Sequence, residues 1–309
     1  MKKPLPICLS LLFAGLLLAG CAENSAPPDG INTSDTKAGW PEKITIVQMP
    51  DEGNPDAGTS NDAFRTAMEA ALGIEVEELE AFEYAVGIEA MRAGNLELLL
   101  VSPMSYYQAK TLAQIEPLVT TATNGALPYK TVFVTRAERD DINSLADLRG
   151  TTFAFVDPAS SSGYMYPKAE LITELGLDSA QLEKPGYFFE TVTYSGKHDS
   201  SLIGVYMGDY DAVSVAYQTI DQLHEAGIIN KDELKIIGET EIIPSACYIM
   251  RADLPQDLKD AIRKFYLGYN DTAYFEMFYG DPNIRYVEAF DSDYDVVYEM
   301  VQLLGIEES

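Results

Sequence analysis

Basic residues, cysteine and histidine are all scarce in this chain, and each scarcity removes a class of function. Lysine and arginine number 21 against 49 aspartates and glutamates, a formal balance of −28 at pH 7. Such a surface repels nucleic acid and anionic lipid headgroups. It also repels a small anion, so an anion site here would have to work by short-range hydrogen bonds in a cleft. Charge further off than about 8 Å is screened at physiological salt. The three cysteines are Cys8, Cys21 and Cys247. Only Cys247 lies in the body of the chain, so no disulfide can form within a folded domain. It sits beside the apolar run Tyr248–Met250 and is expected to be buried rather than reactive. The two histidines, His198 and His224, give no zinc spacing with that lone thiol. Asp291-Ser292-Asp293 opens like a calcium loop, but Val296 and Gln302 occupy the positions that require glycine and a bidentate glutamate. The sequence carries neither a Walker-type phosphate loop nor a Gly-x-Ser-x-Gly elbow. No cofactor and no metal site are expected.

What is present is ordinary globular material. The chain has 309 residues, 47% of them apolar and 23% charged, enough for two lobes. Lys2 and Lys3 precede an apolar run from Ile7 to Gly20, which is too short to span a bilayer comfortably and has the form of an export signal. Leu18-Ala19-Gly20-Cys21 looks like a lipobox, so residues 1–20 are expected to be removed and Cys21 lipidated. That would tie the protein to the outer face of the cytoplasmic membrane, at a cell surface or in a periplasm. The alternative is ordinary signal cleavage with Cys21 incidental. Without residues 1–20 the chain retains 19 basic and 49 acidic residues, a balance of −30. Residues 21–39 are rich in Ser, Pro, Asp and Gly and read as a flexible tether.

From Trp40 onward, strand and helix patterns alternate. Strands are expected at 43–49, 74–78, 96–101 and 131–135, with helices at 61–72, 84–93 and 102–114. The pattern restarts at Thr151, with strands at 151–155, 187–194, 212–216, 234–238 and 247–250. Helices follow up to Leu175 and at 200–207, 217–226 and 255–270. Alternation of this kind predicts mainly parallel sheets covered on both faces. Two similar α/β units joined by extended crossings near 131–135 and 247–250 suit a hinged, two-lobed binding protein.

The most informative stretch is Phe153–Pro167. Thr151–Phe155 is a short β-rich run, Asp157-Pro158 breaks it, and Ser160, Ser161 and Ser162 precede a helical pattern. A helix N-terminus offers N–H groups without intrahelical partners and about half a positive charge. Three hydroxyls added there make a compact donor nest suited to a small, multiply oxygenated anion. The plainer alternative makes one serine an N-cap and the others loop filler. Ser105 and Tyr106 follow the 96–101 strand, and ligands in open α/β sheets collect beyond the carboxyl ends of strands. Tyr84 opens a helix, Tyr129 precedes the first crossing, and either would otherwise be core or rim. His198, in Gly196-Lys197-His198-Asp199, ends a strand and opens a helix that Asp199 could cap; it could donate to an anion, or be a surface loop residue. Asp211 precedes a buried strand, where it either orders a site or, as we favour, holds local backbone.

Several of these separated motifs together resemble the phosphate/phosphite/phosphonate substrate-binding proteins of ABC transporters. The matching stretches are Tyr84–Arg92, Ser102–Ala109, Asp157–Gly163, Gly196–Ser200, Asp211–Val215 and Ile243–Arg251, within about residues 43–290. Asp-Pro-Ala-Ser-Ser-Ser-Gly is the most specific, Ser161 standing where family members commonly carry threonine. The resemblance implies a two-lobed type II periplasmic-binding-protein fold with two hinge crossings and an interlobe ligand. The first lobe would comprise 40–135 and 248–309, and the second 136–247. It further implies that Ser160, Ser161, Ser162 and His198 hold a phosphorus oxyanion from the second lobe while Tyr84 and Tyr129 close over it. Ser105, Tyr106 and Asp211 complete the candidate set. Gln218 and Ala246 stand where relatives that bind an amino-phosphonate place acids, which shifts the expectation toward phosphite, phosphate or a small alkyl phosphonate. The implied partners are that ligand, a permease and the membrane through the lipid, with the protein itself a monomer and not an enzyme. Two rivals stand beside this reading. The same fold could hold another small ligand, such as a vitamin precursor, or present one to a sensor. An exported hydrolase could use a serine of the triplet with His198 and Asp211.

Overall fold

The computed structural model describes residues 37–48, 61–80, 83–122 and 129–306. The export signal, Cys21 and nearly all of the tether lie outside the described residues. The chain order begins β1 (Lys43–Gln48), α1 (Asn61–Leu72), β2 (Glu75–Glu80), α2 (Tyr84–Arg92), β3 (Leu98–Val101), α3 (Pro103–Leu112) and β4 (Ile115–Ala122). It continues through β5 (Thr131–Arg136), β6 (Thr152–Phe155), α4 (Tyr166–Leu175), β7 (Thr191–Tyr194), α5 (His198–Met207), β8 (Ala212–Ala216), α6 (Gln218–Glu225) and β9 (Leu234–Glu239). It closes with β10 (Cys247–Arg251), α7 (Gln256–Gly268), α8 (Thr272–Tyr279), β11 (Arg285–Glu288) and α9 (Asp295–Leu304).

Among the described residues the strands form two sheets, ordered β11-β4-β10-β3-β1-β2 and β7-β6-β8-β5-β9. In the first, β1 runs parallel to β2 and β3, while β10 is antiparallel to β3 and β4. In the second, β6 runs parallel to β7 and β8, while β5 is antiparallel to β8 and β9. In the first sheet β10 and β11 therefore oppose the other four strands, and in the second β5 opposes the rest; β10 and β5 are the strands on which the chain arrives from the other sheet. This moves a boundary expected from sequence. Thr131–Arg136 is an interior strand of the second sheet, so the first passage between lobes precedes it, and Cys247–Arg251 is likewise an interior strand of the first. The strand expected over 187–194 is confined to Thr191–Tyr194.

Strand alternation sorts the core. In β3, Leu98 and Leu100 join Phe64, Met68 and Tyr266 on one face, while Leu99 and Val101 join Tyr84, Met104 and α9 residues on the other. In the second sheet, Phe133 faces Phe153 and Leu171, while Val132 and Val134 face Leu202 and Val213. Cys247 is fully buried, as its apolar neighbours suggest. The cluster under β3 does not stop at the first sheet, because Val156, Ala159 and Met165 of the second lobe belong to it. The two halves thus meet through apolar contact beside the ends of β3 and β6.

Candidate functional site

The turn after β6 is built by three local restraints. Asp157 accepts the Ser160 N–H on its carbonyl (2.9 Å) and the Ala159 N–H on Oδ1 (2.7 Å). Ser160 then caps the next segment, its Oγ accepting the Gly163 N–H at 3.0 Å. The segment is wider than an α-helical turn: Met165 and Tyr166 donate to the carbonyls of Ser160 and Ser161, each five residues back. Such π-type turns are rare and recur at functional sites. Gly163 permits this one. A Cβ there would fall within 3.0 Å of Val156 and of Ser160 Oγ, and Val156 donates its N–H to the Gly163 carbonyl at 2.9 Å. The hydroxyl triplet is thereby turned inward, with no serine more than 1% exposed.

The serines meet the first lobe. Ser161 Oγ accepts the Met104 N–H at 2.7 Å, from the first turn of α3, and donates to Ser102 Oγ at 3.1 Å. Ser102 lies 3.2 Å from Ser105 Oγ, which donates back to the Ala159 carbonyl at 2.8 Å. Ser162 Oγ lies 2.6 Å from the Tyr129 hydroxyl and 3.1 Å from His198 Nε2, while Ser160 Oγ is 3.5 Å from that nitrogen. Thr131 fixes the turn from behind, donating to the Ser162 carbonyl at 2.7 Å. Two helix N-termini, one from each lobe, therefore face each other through hydroxyls. Among the described residues no ammonium or guanidinium takes part in these bonds. An oxyanion held here would be held by neutral donors, each hydrogen bond to its charge contributing about 1.5–3 kcal/mol.

His198 is the first residue of α5 and is 3% exposed, a buried helix-start residue rather than a surface loop one. Gly196, at φ 83°, turns the chain from β7 toward it. Asp199 does not cap this helix, whose N-cap is Lys197; its carboxylate accepts from the adjoining Ser200 N–H at 2.7 Å. The Ala216 N–H donates to His198 Nδ1 at 3.1 Å. That bond decides the tautomer: Nδ1 is the acceptor, so Nε2 carries the proton and points a donor at the serines. Burial holds the ring neutral by pulling its pKa down to about 3. A general base needs the opposite tautomer at Nε2, so the Ser162–His198 pair lacks the proton arrangement of a hydrolase.

Two other candidates, Tyr106 and Asp211, lie elsewhere, and Tyr84 lies beside the turn. Tyr106 is one step round α3 from Ser105, its hydroxyl donating to Asp291 and its ring 4.5 Å from that of Tyr294. Helical geometry sends 105 and 106 to different faces, which strand-end position alone does not reveal. Asp211 sits at the start of β8, the end remote from Ala216. It accepts from Thr152 N–H and Oγ1, each at 2.8 Å, and from Arg139. Despite burial, those bonds hold its carboxyl below the ordinary value, and they give it the backbone-holding role. Tyr84 is fully buried at the start of α2, in the apolar cluster that includes Val156 and Ala159 beside the turn. Sequence reasoning did not single out Ser102, Thr131 or the Met104 amide. Ser102-Pro103 is an N-cap followed by a first-turn proline, which could have marked the α3 terminus.

Two α/β halves with neutral donors converging between them define the two-lobed fold of periplasmic binding proteins. The profile of the family described as ABC transporter, phosphonate, periplasmic substrate-binding protein matches residues 46–294, and the chain belongs to that family. It is 30% identical to a phosphate-import protein, PhnD, of Mycolicibacterium smegmatis, over 87% of this chain and 84% of that one. The phosphonates-binding periplasmic protein of Escherichia coli is 25% identical, over 68% of this chain and 61% of its own. The fold is that of PhnD1 from Prochlorococcus marinus, solved with methylphosphonate, at a TM-score of 0.72 and 18% identity over 85% and 98% of the two chains. A binding protein component of an ABC phosphonate transporter from Pseudomonas aeruginosa gives a TM-score of 0.74 and 18% identity over 85% and 86%.

Proposed function

We propose that the protein captures a small tetrahedral phosphorus oxyanion between its lobes and delivers it to the permease of an ABC transporter, as a monomer held to the outer face of the cytoplasmic membrane through lipid on Cys21. The observation that carries this reading is the meeting of Ser160, Ser161, Ser162 and His198 from one lobe with Ser102, Ser105 and the Met104 amide from the other. Tyr129 closes the set at the passage between lobes. Phosphite, phosphate and a small alkyl phosphonate all present the oxygens such donors need. Gln218, at the start of α6, is a neutral amide whose buried Oε1 has no hydrogen-bond partner. It would accept from a P–OH group, but neither it nor Ala246 supplies a carboxylate to balance an ammonium.

Calorimetry against phosphite, phosphate, methylphosphonate and aminoethylphosphonate tests the reading. Binding of at least one of the first three, with the aminophosphonate weaker, is expected. Ser161→Ala removes one donor and leaves the Met104 N–H without its acceptor, so affinity should fall about ten- to a hundred-fold. Equal binding by that variant would remove the serine nest from the argument.

A further inference from the structure

Behind the serine turn lies a partly buried charged cluster that touches none of the three serine hydroxyls. Lys168, on α4, is 6% exposed, and its Nζ donates to Glu183 Oε1 at 2.5 Å and to the Tyr164 hydroxyl at 2.8 Å. Tyr164 also donates to Glu183 Oε1 at 2.8 Å, and Tyr194 donates to Glu183 Oε2 at 2.5 Å. Burial alone would push the Glu183 carboxyl up; the bonds from Lys168, Tyr194 and Tyr164 outweigh it and hold the group ionised below its ordinary pKa. The positions of the two tyrosines give the cluster its meaning. Tyr164 belongs to the wide turn itself, two residues after Ser162, and Tyr194 ends β7, four residues before His198. One carboxylate therefore grips both segments that present the anion donors of the second lobe. Their rings pack together and on Phe155, at centroid distances of 5.4–6.3 Å.

We propose that Glu183 is a positioning residue that fixes the serine turn against the His198 segment and so sets the geometry of the anion site, an inference that rests on the function proposed above. An ion pair buried on its lysine side contributes little net stability against its desolvation, so its main consequence is the register it imposes on the two segments. Orienting groups behind a binding side chain typically change affinity by roughly 10–100-fold when removed, as measured at metal sites.

The test uses the two-histidine composition, which makes the His198 ring resonances simple to assign once His224→Gln identifies the other ring. Glu183→Gln and Tyr194→Phe are compared with the unaltered protein. Tyr194 is 40% exposed, so its variant keeps the fold even if the charge change does not. Calorimetry with phosphate, phosphite and methylphosphonate should show Tyr194→Phe binding about tenfold weaker, while its thermal midpoint stays close to the unaltered value. The nitrogen shifts of the ligand-free His198 ring should move as the Ser162–Nε2 bond is disturbed. Unchanged affinity and unchanged ring shifts in Tyr194→Phe, with the unaltered protein binding one of the anions, would overturn the positioning role alone. An unaltered protein that binds none of the three would overturn the functional reading and this inference with it.

Discussion

Gly163→Ala is the sharpest probe of the serine turn, because it alters no polar group. An added Cβ would meet Val156 Cβ and Cγ2 and sit 2.9 Å from Ser160 Oγ, all below the 3.0 Å limit of real contacts. The obstruction is a Cβ anchored at the end of β6, not the far end of a flexible chain. The backbone must therefore separate, and the Val156 N–H to Gly163 carbonyl bond is stretched. Trimming Val156 to alanine would not help, since the offending Cβ stays. Overpacking commonly costs about 1–3 kcal/mol, and a backbone-borne clash belongs at the upper end. At about 2 °C per kcal/mol for a chain of this size, the thermal midpoint should drop by about 6 °C. Ser160 Oγ and the turn amides move with the backbone. Misdirecting two charge-assisted bonds at about 1.5 kcal/mol each weakens anion binding by roughly 100-fold. Gly268→Ala is the control: it ends α7 with nothing within 4 Å of a new Cβ, so it should be neutral or stabilising. Thermal scanning and calorimetry on the pair decide the matter. If Gly163→Ala melts and binds like Gly268→Ala, the close approach described here is not what shapes the turn.

Two further outcomes follow from the same geometry. His198 is held neutral with its pKa near 3 against an ordinary 6.5, so below pH 6.5 the unfolded chain takes up a proton that the fold refuses. Its contribution to stability should be flat from pH 8 to 6.5 and decline toward pH 3 with a slope approaching about 1.4 kcal/mol per unit. Denaturant titrations should show a shallower fall over that window for His198→Gln, and an equal slope would refute the buried neutral ring. Asp211→Asn loses the charge that receives Arg139 and two Thr152 donors, and should cost about 1–3 kcal/mol in a urea titration. Its anion affinity should stay within about twofold of the unaltered protein, and a tenfold loss would return Asp211 to the site.

The parts of this fold that sequence discloses are those whose signal is local. A four-residue apolar strand, an Asp-Pro break and a run of hydroxyls before a helical pattern lead to the turn at 160–165 without any distant information. The Ile115–Ala122 strand does not disclose itself, because Pro117 in its middle argues against an interior strand. The structure accommodates it at an irregularity, the register with β10 slipping between Tyr248 and Ile249, so that the missing N–H falls where the ladder is already broken. The His198 tautomer was equally hidden, since it depends on an amide 18 residues away at the end of β8. The aim of Ser105 at the Ala159 carbonyl and of Tyr106 at Asp291 and Tyr294 depends on what flanks α3; the spacing of Val297, Val301 and Leu304 marks α9 as a helix but not that it packs there.

The acidity of the chain gives a reason for building the proposed anion site from neutral donors. Among the described residues, carboxylates have already claimed several buried or half-buried cations: Arg139 by Asp141 and Asp211, Arg251 by Glu97 and Asp253, Lys168 by Glu183, and Lys259 by Glu116, while Arg263 and Arg285 are held by backbone carbonyls. A lysine or arginine placed between the lobes would stand in the same competition, and an intramolecular carboxylate has an effective concentration that a dilute ligand cannot match. Amides and hydroxyls avoid that capture, because their hold on an anion needs close, convergent geometry rather than long-range attraction. Asp157, the acid built into the turn, is consistent with this. Burial and the nearby Glu83 push its pKa up, and its Oδ1 is occupied by the Ala159 N–H. The arrangement therefore places discrimination in shape. A flat carboxylate meets fewer of the opposed donors at once than a tetrahedral oxyanion does, so on this geometry acetate should fail to compete with phosphate even in large excess.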